Sequence, residues 1–392
     1  MQKSKILFQV FVFGWIAIFN GGLCLFLIAV YSRWHYTPIV SRFCNEPTLK
    51  QDTVFDCVAK WSGSSNARFT LDGERLIQVH ENYPFSGISL LPYQDLLGIP
   101  QKQRIDFEEE HPLQIHTPAI TEHWIAIESY DHESMNLRIW DYEQQQLIKL
   151  LPNVAPFLDI KSLEFSGDGA YLAMGIQRDE AQTKVWDTQT WELKVLPGNG
   201  LMNFFPNTHQ MVILSSSSEV ILWDVDANLE LQKINLGVVF EKPNQFLISP
   251  NGEVLAISDY NQSIYLFEIK TWKLMAEIPV TNGVLGVPMA FSPDSQFLAT
   301  LEDKAFPVSP GEELPKGIRH FLRDPNCPDT DICVGALVYF GYLKLWDVQT
   351  GSLFHTVDFG EQNTWVQGLA FSPDGTRIVL SGETNYLLEK KP

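Results

Sequence analysis

"LEFSGDGAYLAMG" (Leu163–Gly175) and "TKVWDTQTWELKVL" (Thr183–Leu196) follow one another closely, and their reading decides the fold. Each is a pair of apolar or alternating runs broken by a tight turn. In the first, Asp168 and Gly169 supply the residue types that tolerate the left-handed backbone such a turn demands. The flanks carry aromatic and β-branched residues at strand spacing. Two successive hairpins make a four-stranded antiparallel unit. One unit cannot bury both of its faces alone, so neighbours must stack on it.

Neighbours exist. The first hairpin returns as "FLISPNGEVLAIS" (Phe246–Ser258), "MAFSPDSQFLATL" (Met289–Leu301) and "LAFSPDGTRIVLS" (Leu369–Ser381), with a weaker copy in "RFTLDGERLIQV" (Arg68–Val79). The second returns as "LRIWDYEQQQLIKLL" (Leu137–Leu151), "VILWDVDANLELQKI" (Val220–Ile234), "IYLFEIKTWKLMAEI" (Ile264–Ile278) and "LKLWDVQTGSLFHTV" (Leu343–Val357). The period is about 40 residues. Degenerate first strands at Leu113–Pro118 and Leu201–Pro206 bring the count to seven, with six or eight as rivals.

At these turn motifs and Trp-Asp pairs the chain resembles the WD-repeat β-propellers, from about Asn45 onward. The resemblance implies an all-β, closed propeller of four-stranded antiparallel blades. It also implies that a strand from the far end of the chain completes the final blade, and "TVFDCVAKW" (Thr53–Trp61) is placed to do so. The sequence departs from the family where no Gly-His precedes the Trp-Asp pairs. Ser134, Glu180, Ser217 and Phe340 stand where the family has an Asp, so its hydrogen-bonded tetrad is not expected in its usual form. Apolar packing must then hold the blades.

Residues 1–5 form a short tail and residues 6–31, "ILFQVFVFGWIAIFNGGLCLFLIAVY", a single apolar run. As a helix it would span roughly 39 Å, enough to cross about 30 Å of hydrocarbon. Tyr31, Trp34 and Tyr36 follow where interfacial aromatics are expected. The run is too long for a signal-peptide core and lacks a small-x-small cleavage site, which favours a retained transmembrane anchor. Residues 32–52 read as a linker and 53–392 as the propeller-like domain.

The remaining cysteines form two local pairs, Cys44 with Cys57 and Cys327 with Cys333. Local pairing suits disulfides and an oxidising compartment, so the large domain is expected on the extracytoplasmic side; reduced thiols are the alternative. A net charge of −19 excludes a phosphate-neutralising nucleic-acid surface and disfavours lying on anionic lipid.

Catalytic signatures are absent: the sequence has no phosphate-binding glycine loop, nucleophile elbow or His-Glu-x-x-His run. Four histidines fall between His111 and His132, without metal-ligand spacing. "DPNCPDTD" (Asp324–Asp331) offers oxygen ligands but lacks the glycine and spacing of a calcium loop. No metal or cofactor is expected. "NQS" (Asn261–Ser263) fits a glycosylation acceptor.

Two features suggest docking. Residues 304–341 interrupt the sixth unit, and "KGIRHFLRD" within them gathers Lys316, Arg319, His320 and Arg323 in an otherwise acidic chain. On a short helix Arg319 and Arg323 would share a face. Trp191 and Trp272 occupy matching turns, where the two indoles could form an exposed patch or pack against the neighbouring blade. The expectation is a membrane-anchored protein-binding or assembly platform without catalytic activity. The alternative is an extracytoplasmic enzyme or small-ligand binder using the central channel mouth.

Overall fold

The computed structural model describes residues 40–41, 52–62, 67–80, 87–92, 103–106, 118–130, 134–156, 160–177, 181–259, 263–280, 288–307, 321–323, 334–362, 366–382 and 384–392. The transmembrane reading of residues 6–31 lies outside them. Among the described residues no helix is long and apolar enough to cross a membrane.

The described chain is all strand and turn, arranged in seven antiparallel sheets. Sheet one runs Ala67–Asp106, sheet two Ala119–Pro156, sheet three Ile160–Pro197, sheet four Met202–Asn235 and sheet five Pro243–Pro279. Sheet six runs Met289–Gln362, and sheet seven takes Val366–Phe371, Arg377–Gly382 and Thr384–Lys390. Phe55–Ser62 forms the fourth strand of sheet seven, with Phe55 opposite Lys390 and Ser62 opposite Thr384. The strand expected to complete the last unit therefore does so.

The repeated turns form for a repeated reason. Ser166 Oγ donates to Asp168 Oδ1 at 2.8 Å and accepts from Tyr171 N, while Gly169 N closes the turn on Ser166 O with Gly169 at φ +73°. Ser249/Asn251/Gly252, Ser292/Asp294/Ser295 and Ser372/Asp374/Gly375 repeat this arrangement. The acid of each Trp-Asp pair acts at the other turn. Asp141, Asp187, Asp224 and Asp347 accept backbone N–H groups from two or three residues downstream. The residue four beyond the acid is left-handed in every copy: Gln145, Trp191, Asn228, Trp272 and Gly351. In sheet six the indole of the Trp-Asp pair is also tied within the sheet, since Trp346 Nε1 donates to Thr300 Oγ1 at 2.9 Å.

Consecutive sheets share apolar clusters. Six buried clusters join sheets two to three, three to four, four to five, five to six, six to seven, and seven to one. The turns touch in the same order: the Gly73 turn meets Pro373, the Gly375 turn Pro293, and Asn251 N donates to Ser295 Oγ. Between sheets one and two, the Arg75 guanidinium pairs with Glu143 and lies over the Tyr142 ring.

Sheet six departs from the others. Its second and third strands, Phe297–Pro307 and Val334–Asp347, span 11 and 14 residues, and Phe321–Arg323 pairs with the latter as a further strand. Lys304–Pro307 and Val334–Gly341, read as part of an inserted link, are thus a continuation of the sheet. Arg323 ends a strand, which corrects the short helix expected through Arg319 and Arg323.

Candidate functional site: a charged pair lining a cavity

A cavity of about 370 Å³ is lined by the first strands of six of the seven sheets, with residues including Arg68, Glu164, Asn203, Leu247, Met289 and Leu369. Its construction follows from the turn motif. Two residues before the Ser, Thr or Phe that opens each first turn stand Arg68, Ala119, Glu164, Asn203, Leu247, Ala290 and Ala370, in sheets one to seven. The next residue in each strand is apolar (Phe69, Phe165, Phe204, Ile248, Phe291 or Phe371, with Ile120 in sheet two) and mostly buried between sheets. At this register sheets one, three and four therefore carry polar residues. The equivalent residue of sheet two is Ala119, and in sheets five to seven Leu247, Ala290 and Ala370 stand at this register.

Glu164 Oε2 accepts from Asn203 Nδ2 at 2.8 Å and from Phe204 N at 3.0 Å. Burial pushes its carboxyl up to about 7, against the pull of the Phe204 N–H, the Arg68 charge and the Asn203 amide. Burial likewise lowers the pKa of Arg68, with Glu164 opposing it. Both side chains keep partial access to the cavity and are otherwise enclosed by protein. Arg68 Nε is buried without a hydrogen-bond partner. Among the described residues its charge is balanced only at a distance, by Glu164. Asn203 is itself fixed, since its Oδ1 accepts from Ile248 N at 2.7 Å.

This pair was missed in the sequence, where "LEF" and "ARF" read as ordinary alternating strand. Comparing the seven copies at one register would have exposed it, because a charge stands where other copies have alanine or leucine.

A second ionic group lies outside this cavity. His209 Nε2 meets Asp168 Oδ2 and His209 Nδ1 meets Asp226 Oδ2, each at 2.8 Å, and Tyr171 OH donates to Asp226. Burial disfavours the imidazolium, but the two carboxylates raise its pKa overall. The group fastens the turns of sheets three and four. Among the described residues no cluster of His, Cys, Asp and Glu could hold a metal ion.

The residues singled out in the sequence do not converge. Trp191 is half-buried against the apolar cluster of sheets two and three, with Lys149 over its ring, and Trp272 packs likewise against the cluster of sheets four and five. At the matching position a Cβ on Gly351 would come within 2.4 Å of Ala276 Cβ in the preceding sheet. This slot is a sheet-to-sheet packing position, which favours the packing alternative over an exposed patch. Cys57 lies on the completing strand and is disulfide-bonded. Cys44, Lys316, Arg319, His320, Cys327, Cys333, His111, His116, His132, Asn261 and the stretch Asp324–Asp331 lie outside the described residues.

In comparisons with known proteins, no family model matches the chain and no curated sequence matches it significantly.

Proposed function

We propose that the chain is a closed, seven-bladed WD-repeat-like propeller, tethered by residues 6–31 with the propeller on the extracytoplasmic side, that serves as a protein-binding platform and has no catalytic activity of its own. Ring closure is supported by contacts between every consecutive pair of sheets, the first-to-second junction included, and by Phe55–Ser62 pairing into sheet seven. The compartment is supported by the bonded state of Cys57, for which Cys44 is the partner nearest in sequence.

The observation that carries the platform is the extended hairpin of sheet six. Its strands continue beyond the level at which Glu302 and Tyr342 pair, to Pro307 opposite Ala336, whereas the equivalent strands elsewhere span five to eight residues. Antiparallel order puts this projection at the end of the molecule where the channel-lining first strands begin. A β-structured projection loses less conformational entropy on docking than a free loop would. Its basic residues fit a partner with an acidic surface and would steer the encounter.

Replacing Lys304–Ala336 with a short turn should leave the unfolding midpoint of the propeller within about 1 kcal/mol of wild type. In cross-linking mass spectrometry on intact membranes, the same variant should lose the protein partner that cross-links to Lys304 and Lys316. An unchanged set of partners would reduce the projection to ornament. Independently, non-reducing peptide mapping should recover Cys44 joined to Cys57 and Cys327 joined to Cys333. Recovery of Cys57 bonded to a different cysteine would overturn the pairing, and free thiols at all four would overturn the compartment.

A further inference from the structure

A guanidinium enclosed by protein and lacking a hydrogen-bond partner is costly, because its lost hydration is not replaced. Arg68 is in that position at its Nε, yet the chain provides an opposite charge nearby and does not close the gap. No ion pair joins Arg68 to Glu164, although each perturbs the other's ionisation. Glu164 is equally incomplete. Its Oε2 takes the hydrogen bonds from Asn203 and Phe204, and Oε1 takes neither, on a residue that lines the cavity. Arg68 and Glu164 thus line one space of about 370 Å³, at the small end of the ~300–1,000 Å³ usual for ligand pockets.

The chemistry of the walls narrows the occupant. A planar guanidinium matches a carboxylate bidentately. Glu164, across from it, calls for a hydrogen-bond donor and repels a multiply charged anion. Leu247, Met289 and Leu369 on the other side bury apolar carbon, beside the polar Asn244 and Gln245, and Lys161 of sheet three adds a second cation to the lining.

We propose that the channel binds a small organic acid bearing an adjacent hydroxyl or amino group and an apolar side chain, its carboxylate on Arg68, its donor on Glu164 and its side chain against Leu247, Met289 and Leu369. This inference rests on the ring arrangement of the sheets and not on the docking role of sheet six. A chain lacking Lys304–Ala336 should bind the same probes as wild type, so the failure of one proposal is separable from failure of the other.

The test uses the full chain in mild detergent, titrated calorimetrically with L-leucine, 2-hydroxy-4-methylpentanoate, 4-methylpentanoate, leucinamide and inorganic phosphate. The first two should bind saturably. 4-Methylpentanoate, which lacks the donor, should bind at least tenfold more weakly, and leucinamide and phosphate should show no saturable binding. Arg68→Lys should weaken L-leucine binding at least tenfold, because it loses the planar fork. Arg68→Met should abolish binding and raise the Tm of the ligand-free protein, since it removes an unpartnered charge. A structural arginine would give the opposite sign. The proposal is overturned if none of the probes binds, if phosphate binds more tightly than the organic acids, if Arg68→Met leaves binding unchanged, or if Arg68→Met lowers the Tm.

Discussion

Replacing Trp61 with alanine is expected to destabilise the protein by about 3–5 kcal/mol, the range for deleting a fully buried large aromatic. Trp61 is 1% exposed, and its Nε1 donates to Gln78 Oε1 at 3.1 Å. Its backbone belongs to the fourth strand of sheet seven, opposite Asn385, whereas Gln78 belongs to sheet one. The indole therefore joins the N-terminal strand to two sheets at once, in a cluster with Phe69, Leu76, Val379 and Leu387. Trp61→Phe keeps most of the packing and loses the hydrogen bond, so it should cost only about 1–2 kcal/mol. Net stabilities of domains are about 5–15 kcal/mol, which makes the alanine variant a large loss. Urea unfolding followed by far-ultraviolet circular dichroism measures both. Freeing this strand would also expose the edge of Thr384–Lys390, so limited proteolysis should first cut Trp61→Ala near Phe55–Ser62. A Trp61→Ala midpoint within 1 kcal/mol of wild type would show that the strand does not hold the ends of the chain together.

The contrast between Trp61 and Glu164 shows where the sequence was informative. Turns that need a left-handed residue restrict the alphabet to Gly, Asn, Asp and a few costlier exceptions, so a period of turns is visible by eye. The pairing of Phe55–Ser62 with Thr384–Lys390 was readable because the last repeat lacks a fourth strand of its own. Trp191 and Trp272 were less readable. Matching turn positions left an exposed patch and packing both open, but each indole folds back onto the preceding sheet, and the glycine at position 351 was the signal that this slot is crowded. The projection of sheet six was legible only as an interruption, because its composition does not say whether Lys304–Pro307 leaves the sheet or prolongs it. Arg68 and Glu164 were invisible for another reason. Strand alternation marks which residues leave the apolar layer, but a polar residue facing an enclosed channel and one facing bulk water give the same pattern. Only the shared cavity brings a residue of sheet one near one of sheet three.

Replacing Glu164 with glutamine is expected to change the pH dependence of stability more than its magnitude at acid pH. The carboxyl is raised from its ordinary 4.5 to about 7, first by burial, with the Phe204 N–H, Arg68 and Asn203 only partly offsetting it. Between those two values the folded protein keeps the proton while the unfolded chain has released it. The native state then binds more protons than the unfolded state, so stability falls as pH rises through this window and levels off above about 7. At about 1.4 kcal/mol per decade, the interval corresponds to roughly 3 kcal/mol as an upper value. Glutamine reproduces the protonated acid: its carbonyl oxygen can still accept from Phe204 N and Asn203 Nδ2, and it has no charge to desolvate. Glu164→Gln should therefore match wild type near pH 5 and exceed it by about 2–3 kcal/mol near pH 8, measured by urea unfolding across that range. The paired design removes every other titrating group, because His209 and the surface carboxylates contribute equally to both proteins. A charge kept at that cost is consistent with the binding of an ammonium or hydroxyl donor at Glu164, and the variant should lose affinity for L-leucine above pH 7 while gaining stability. Parallel stability curves for the two proteins from pH 5 to 8 would mean that Glu164 titrates as an ordinary surface carboxylate and that the cavity does not enclose it.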